Sequence, residues 1–420
     1  LNDKEKYQGG VLLFDRWSKG SAFASAFIFV FAVGVMGLPA AAQNAPDAVQ
    51  IPMAIAKVEQ TRPLPISRLN IVPKDAGVRG AELAVKDNNT TGRFTKQAFS
   101  LKRYDLSKSG DAAALIDRIV ADGIGLVMVD ADADTLLRLS DAAGGKPVLL
   151  FNLSAEDTRL REEDCRANII HIAPSRTMLA DALAQFLVLK RWSRWFLIEG
   201  ANPPDKAFAE AIRRAAKKFG ARIVEEKAYT VTDSTTRTDT GQAQIQKQMA
   251  VYTQISSEYD ILIVADESEI FGAYLPYHTW SPRPVAGTSG LMPMSWHPSH
   301  EQWGATQMQN RFFELAGRVM TPIDFHGWLA ARAVGEAATR TKSGDFAAIR
   351  DYLLGPDFSV AAFKGQKVSI RSWNHQFRQP IVLATVQFPV SWSPQPGFLH
   401  QRAEVDTLGI DEPESKCKLN

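Results

Sequence analysis

The chain predicts an α/β protein of two successive lobes, each a parallel sheet flanked by helices. Three observations point there. From residue 50 onward short apolar runs alternate with segments of helical period, the pattern of parallel strands joined by helices. The alternation occurs twice, from about residue 51 to 172 and from 195 to 264. With the first 42 residues set aside, 378 remain, more than one hydrophobic core comfortably organises.

The first 42 residues read as a secretory signal peptide. Residues 20–46 carry no charge, follow Arg16 and Lys19, run through the apolar stretch Phe23 to Leu38, and close on Pro39-Ala40-Ala41-Ala42. Those are the basic, apolar and small-residue parts that an export machinery and its peptidase read, with cleavage expected between Ala42 and Gln43. A retained membrane anchor is the rival reading, but a proline and three alanines suit a peptidase better than a lipid interface. The rest of the chain is therefore expected outside the cytoplasm, in the periplasm.

Lys plus Arg number 48 and Asp plus Glu 46, and the leader carries four basic and three acidic residues, so the remainder sits near +1. That balance argues against nucleic acid as partner. Cysteine occurs twice, as Cys165 and Cys417. In an oxidising compartment the two are expected to form a disulfide that ties the extreme C-terminus to a loop in the first half, with two unpaired thiols as the alternative.

The first series predicts strands at 51–58, 97–104, 123–129, 147–152 and 168–172, with helices at 78–87, 112–121 and 135–142 between them. The second predicts a strand at 195–198, a helix at 205–219, a strand at 222–229, a helix at 242–255 and a strand at 260–264. In the helix at 205–219, Phe208, Ile212, Ala215 and Phe219 share one face while Arg213, Arg214, Lys217 and Lys218 fall largely elsewhere. Gly220 then stops it, since glycine takes the left-handed conformation that turns the chain into the next strand. Asp239 or Thr240 is expected to cap the helix that follows. From 266 to about 303 the chain is dense in Pro, Trp, His and Gly and predicts ordered irregular structure. Helices are expected at 306–320, 323–339 and 346–354, then a strand-rich tail from 358 to 390.

Several stretches resemble a known family. Gly80-Ala81-Glu82-Leu83-Ala84-Val85-Lys86-Asp87-Asn88-Asn89-Thr90-Thr91-Gly92 resembles the first helix of type I periplasmic solute-binding proteins, the branched-chain amino acid binding class of ABC transporters. Residues 216–224 look like the first helix-to-strand turn of that family's second lobe, and Trp373-Asn374-His375-Gln376-Phe377-Arg378-Gln379-Pro380-Ile381 resembles the hairpin that closes it. Three runs, 264–269, 283–288 and 406–411, are similar to a subfamily encoded beside PQQ-dependent alcohol dehydrogenase systems. The resemblance implies the periplasmic binding protein type I fold: two Rossmann-like lobes joined by three crossovers, with ligand held in the cleft between them. It divides the chain into a signal peptide (1–42), lobe one (43–173 with about 306–355), lobe two (174–305 with about 356–392) and a C-terminal tail (393–420). The implied partners are the ABC permease and ATPase subunits of the inner membrane and a small-molecule or metal ligand.

Open parallel sheets bind ligands beyond the carboxyl ends of their strands. There the sequence offers Asp130, Asp132 and Asp134 after the third strand, Asn152 and Ser154 after the fourth, Glu199 and Asn202 after the first strand of lobe two, and Asp266, Glu267 and Glu269 after its last. Amino acid binders of this class offer hydroxyls and backbone N–H groups at the lobe-one positions, and aspartates there repel a carboxylate. An acidic, oxygen-rich cleft suits a cation instead, either an amine or a hard metal ion such as calcium or a lanthanide, bound as cargo by Asp132 and Asp266. The competing reading is that these groups cap the next helix or face solvent.

His297, His300 and Glu301 form no zinc-helix spacing because Pro298 interrupts the run, and a helix capped near Ser299 is the expected alternative. Trp280, Trp296 and Trp303 are expected to fill a core in preference to stacking on a ligand ring. No nucleophile elbow, phosphate loop or dinucleotide fingerprint is present, so neither enzymatic activity nor a required cofactor is expected. The leading expectation is a receptor that closes on a solute and delivers it to an importer. The alternative is a non-transporting accessory or sensor protein of a periplasmic quinoprotein dehydrogenase.

Overall fold

In the computed structural model the described residues are 48–60, 71–230 and 239–419. The expected signal peptide lies outside them. Among the described residues no helix is long and apolar enough to cross a membrane.

The first sheet contains β1 (Val49–Val58), β2 (Gln97–Leu106), β3 (Leu126–Asp130), β4 (Leu149–Asn152) and β5 (Ile169–His171), all parallel, in the order β2-β1-β3-β4-β5. α1 (Val78–Thr95), α2 (Ala112–Ala121) and α3 (Ala133–Ala142) connect the first four strands. After β5 comes α4 (Arg176–Leu189), which the sequence reading missed. Every one of its residues from Thr177 to Leu187 is buried, so it has no polar face to give it a readable amphipathic period.

The second sheet has the order β7-β6-β8-β9 and is also parallel, with β6 (Arg194–Gly200), β7 (Arg222–Tyr229), β8 (Ile261–Ala265) and β9 (Val285–Gly287). α5 (Pro203–Phe219) and α6 (Asp239–Tyr252) link its first three strands. α5 ends on Gly220, at φ 75°, as the sequence predicts. The segment expected to be wholly irregular supplies β9 and then β10 (Met292–Met294), which joins an antiparallel sheet with β14 (Ile381–Ala384) and β15 (Pro389–Ser393). The expected cap at Asp239 or Thr240 involves side chains outside those described.

The chain then returns to the first lobe. α7 (Ala305–Ala316), α8 (Pro322–Thr341) and α9 (Phe346–Leu354) pack in the same core as Ile51, Met53 and Phe151. α1 and α8 cross backbone to backbone: a Cβ on Gly80 would run into the Asp324 carbonyl, and one on Gly327 into that of Gly77. This close approach carries α1 to Thr95, well past residue 87, through the poor helix formers Asn88, Asn89, Thr90 and Thr91. Asn88 Nδ2 donates to the Ala331 carbonyl at 2.8 Å, and Gln97 beyond the helix donates to that of Ala338 at 2.7 Å.

Beyond α9, β11 (Val360–Ala361), β12 (Lys367–Ile370) and β13 (Phe377–Arg378) form a small antiparallel sheet. The boundary expected near 356 needs correction here. Phe358, Val360, Ala362, Val368 and Phe377 belong to the first lobe's core, whereas Ile381 and Leu383 join the core of the second. The chain changes lobes between Arg378 and Ile381, because the hairpin docks its apolar face under α8 before β14 pairs with β10. The disulfide between Cys165 and Cys417 is formed, with the two Cα atoms 5.7 Å apart.

Three crossovers therefore join the lobes, near residues 172–175, 295–304 and 378–381. A single buried lysine holds two of them. Lys364 Nζ donates to the Ser295 carbonyl and, at 3.2 Å, to that of Pro380. It also lies 4.8 Å from the Phe325 ring centre and 5.2 Å from that of Trp392. The ring faces favour the charged form, but burial away from any carboxylate outweighs them and pushes the ammonium down to about 7.

Between pH 7 and the ordinary lysine range the unfolded chain binds a proton that the folded chain does not, so the contribution of this group to stability rises with pH. The stability of the native sequence relative to Lys364→Met should rise by about 1 kcal/mol per pH unit between about pH 7 and about pH 9. Chemical denaturation of the two proteins across that range checks it, and parallel curves would show that Lys364 stays charged throughout.

Candidate functional site

In both sheets the strand order reverses next to the first strand, between β1 and β3 and between β6 and β8, and the crevice outside those carboxyl ends is where an open α/β sheet binds ligand. Lys57 and Asp130 are register partners at the first of these points. Lys57 Nζ reaches Asp130 Oδ2 at 2.6 Å and the Ala76 carbonyl at 2.8 Å, and Gln60 donates to the other Asp130 oxygen at 3.0 Å. Asp130 is thus compensated within its own lobe.

The remaining lobe-one candidates serve the local backbone. Asp132 is the N-cap of α3, its carboxylate accepting from Thr135 N at 2.8 Å. Asp134 is exposed and paired with Arg159. Asn152 is fully buried and folds back so that Oδ1 accepts from Ser154 N at 3.2 Å and Ala155 N at 2.9 Å, while Nδ2 donates to the Ala155 carbonyl. Ser154 Oγ donates to the Ala131 carbonyl at 3.0 Å, joining the loops after β3 and β4. The N–H groups of Ser154 and Ala155 are therefore taken by the Asn152 side chain.

Lobe two repeats the pattern. Glu199 pairs with Arg213 at 2.6 Å, and Asn202 forms a capping box with Asp205 at the start of α5. Asp205 also accepts from Ser268 N at 2.9 Å, fastening the loop after β8 to the one after β6. Asp266 is buried and receives backbone N–H groups from Ile270, Phe271 and Gly272 at 2.6 to 3.0 Å. Burial raises its carboxyl and those three donors oppose the rise. Glu269 adopts φ 52°, and its Oε2 is buried without a hydrogen-bond partner.

The expectation that Asp132 and Asp266 jointly ligate a hard cation finds no geometric support, since one caps a helix and the other organises its own loop. Among the described residues no group of three or more His, Cys, Asp or Glu is arranged to hold a metal ion. His297 Nδ1 accepts from Ser299 N at 3.0 Å, and a His300 ring nitrogen meets the Phe363 carbonyl at 2.9 Å, so neither points to a shared metal. The helix expected from Ser299 starts at Ala305, capped by Gly304, while Ser299 Oγ donates to the Gln387 carbonyl. Trp296 fills the core, stacked on Phe325 with ring centres 4.6 Å apart, whereas Trp280 and Trp303 are exposed.

The group that joins the two sides of the crevice was not singled out in the sequence. Arg176, the first residue of α4, grips Glu267 with Nε and Nη2, both at 2.8 Å, and reaches Asp157 in the loop after β4 with Nη1 at 3.0 Å. Its backbone N–H donates to the Glu156 carbonyl at 2.9 Å. The Glu156 side chain makes no hydrogen bond among the described residues. Burial, followed by the negative charge of Glu267, raises its carboxyl to about 7, opposed by Arg176 and Arg161. Burial also raises Glu267, against the pull of Arg176. Glu156 and Asp157 lie two and three residues past Ser154, so the rule that pointed to Ser154 would have found them if extended along the loop. Arg176 was hidden with the helix it begins.

Because Asp266 shapes its loop, Asp266→Ala should lower stability by about 2 to 3 kcal/mol, the cost of stranding several buried N–H donors. Urea denaturation checks this, and an unchanged midpoint would show that the loop does not depend on the carboxylate.

Comparison with known proteins adds to this geometry. A model of the periplasmic binding protein family matches residues 73–251. A search of curated proteins by sequence found no match. Among solved structures, the chain is similar to a branched-chain amino acid ABC transporter periplasmic ligand-binding protein from Burkholderia xenovorans, at TM-score 0.67 and 15% identity over 88% of this chain and 100% of that one. It is also similar to a leucine-, isoleucine-, valine-, threonine- and alanine-binding protein from Brucella ovis in a closed conformation, at TM-score 0.63 and 16% identity, covering 88% and 99%. A solute-binding protein of an ABC transporter from R. palustris, in complex with benzoate, aligns at TM-score 0.62 and 10% identity, covering 89% and 100%. Similarity at these identities is similarity of fold: the chain has the type I periplasmic binding protein fold, with two parallel-sheet lobes.

Proposed function

We propose that this protein is an extracytoplasmic solute receptor that closes its two lobes on a small organic cation and presents it to the permease and ATPase of an ABC importer. No covalent chemistry is required. Closure is a hinge motion, and the ligand favours the closed state by contacts that only both lobes together supply. The family match over 73–251 and the fold of the solute-binding neighbours support the receptor reading. The likeness of residues 264–269, 283–288 and 406–411 to the subfamily encoded beside PQQ-dependent alcohol dehydrogenases supports a setting in alcohol oxidation.

The observation that carries the ligand class is Glu156. Its charged neighbours include Arg176, Glu267 and Asp157, which are closed on one another. Glu156 lies beside this group with no hydrogen-bond donor to its carboxylate among the described residues, and a bound ammonium supplies one. The neighbour from Brucella ovis is named for amino acids and that from R. palustris is in complex with benzoate, and both kinds of compound carry a carboxylate. In this chain Asn152 and Asp132 place their own oxygens on N–H groups that a carboxylate would use. The same closure of charge pairs also favours a second reading, an accessory or sensor of a periplasmic quinoprotein dehydrogenase whose cleft carries no cargo.

Thermal unfolding of the protein and of Glu156→Gln against primary and quaternary amines, amino acids, benzoate, calcium, a lanthanide and PQQ separates these readings. An amine at about 100 times its Kd should stabilise the native sequence by about 2.7 kcal/mol and have little effect on Glu156→Gln. Because the Glu156 carboxyl titrates near 7, amine affinity should fall as pH drops through that value and the carboxylate gains its proton. A rise with amino acids or benzoate, equal in both proteins, would overturn the cation assignment and keep the receptor. No rise with any compound would favour the accessory role.

A further inference from the structure

The C-terminal segment holds both lobes and the hinge between them. Its grip on the second lobe comes first along the chain. Val405 and Leu408 are buried in that lobe's core. Asp181 of α4, fully buried, accepts from Gly409 N at 2.8 Å. Lys218 of α5 donates to the Thr407 carbonyl at 2.7 Å, to that of Gly409 at 2.9 Å and to Asp181 at 2.8 Å.

The second grip is at the third crossover. Asp406 is buried and accepts from Arg371 Nε and Arg378 Nε, both at 2.9 Å, while Arg371 Nη2 donates to the Leu408 carbonyl at 2.8 Å. Both arginines belong to the β12–β13 hairpin, whose Val368 and Phe377 lie in the first lobe's core. The third grip is on the first lobe. Glu162, buried in the loop before β5, accepts from Lys416 N at 2.8 Å and Ser415 Oγ at 3.1 Å, and three residues on Cys165 is bonded to Cys417.

We infer that residues 404–417 form a strap that sets the range of motion between the lobes, with the Cys165–Cys417 bond as its lock. A hinged receptor of three crossovers bends where those peptides flex, and the tail adds a fourth connection whose far end is covalent. From Gly409 to Cys417 the chain spans at most roughly 29 Å when fully extended, so the second lobe is tethered to the first within that reach. Glu412, Pro413 and Glu414, between the grips, are exposed, with Glu414 paired at the surface with Arg214 of α5 at 3.2 Å. A segment that served stability alone has no need to bridge both lobes, since either one offers buried surface for it.

Single-molecule energy transfer tests the strap. Azide-bearing phenylalanines replace Phe94 of α1 and Val251 of α6, both exposed and on different lobes, and carry the dyes. The doubly substituted Cys165→Ser, Cys417→Ser chain should show a broader interlobe distance distribution than the disulfide-bonded protein, well below its melting temperature. In a second version a protease site replaces residues 412–414 and is cut after folding, so the strap is severed with the disulfide intact and without any burden on folding. That nicked protein should broaden in the same way. Leu136→Ala, which weakens the first lobe from inside, should lower the melting temperature and leave the distribution unchanged. Superimposable distributions before and after nicking would overturn the inference, and so would equal broadening in Leu136→Ala.

Discussion

The contact between α1 and α8 is the constraint from which the rest of the architecture follows. Glycines at 80 and 327 let two helix backbones meet with no side chain between them, and Asp324 accepts from Gly77 N at 2.8 Å to align the two helix starts. Arg318 balances that buried carboxylate at 2.6 Å. A helix more than two hundred residues downstream is thereby required to complete the first lobe. The chain must leave the first lobe after β5, return for α7 and α8, and leave again for β14. Three crossovers, and hence a hinge, are the topological price of that single contact.

The hinge is built with few charges and many fixed hydrogen bonds. Gln376 donates to the carbonyls of His171 and Ala173, and Gln379 to that of Ile172, so the first and third crossovers are laced together by side-chain amides. Arg161, buried beside them, donates to Gln376 and to the Ala173 carbonyl. Lys364 completes the set with the second crossover. Desolvation acts on every one of these groups, so the junction tolerates neutral donors well and a lone ammonium poorly. The outer surface of the hinge is handled differently, by the buried pairing of Asp406 with two arginines and by the disulfide.

In the crevice the same physics explains why so many acidic residues are already partnered by the protein. A carboxylate just after a strand lies next to the N–H groups that open the following helix or loop, and it satisfies them before any solute arrives. Asp132, Asp205 and Asp266 are used in this way. Where a carboxylate projects farther, as Asp130, Glu199 and Glu267 do, a lysine or arginine of the protein meets it. Arg176 divides its two ends between Glu267 and Asp157, so neither end reaches Glu156, and one oxygen of Glu269 is likewise without a hydrogen-bond partner.

By itself the sequence determined the alternation of strands and helices, their parallel arrangement in two series and the end of α5 at Gly220, because period, caps and turn residues act over a few positions and are written locally, while the type of fold came from the resemblance of whole stretches to a known family. The pairing of Cys165 with Cys417 followed from there being only two cysteines in an expected oxidising compartment. The tertiary structure alone decided that α1 continues through Asn88 to Thr91, since those residues are held by α8 and have little propensity of their own. It alone revealed α4, whose burial on all sides erases the period that marks a helix. It alone assigned the hairpin at 360–378 to the first lobe. It also showed which acidic residues cap loops and which are paired with a lysine or arginine, because a carboxylate's role depends on which donor reaches it first, and that donor is chosen by packing between segments far apart in the chain.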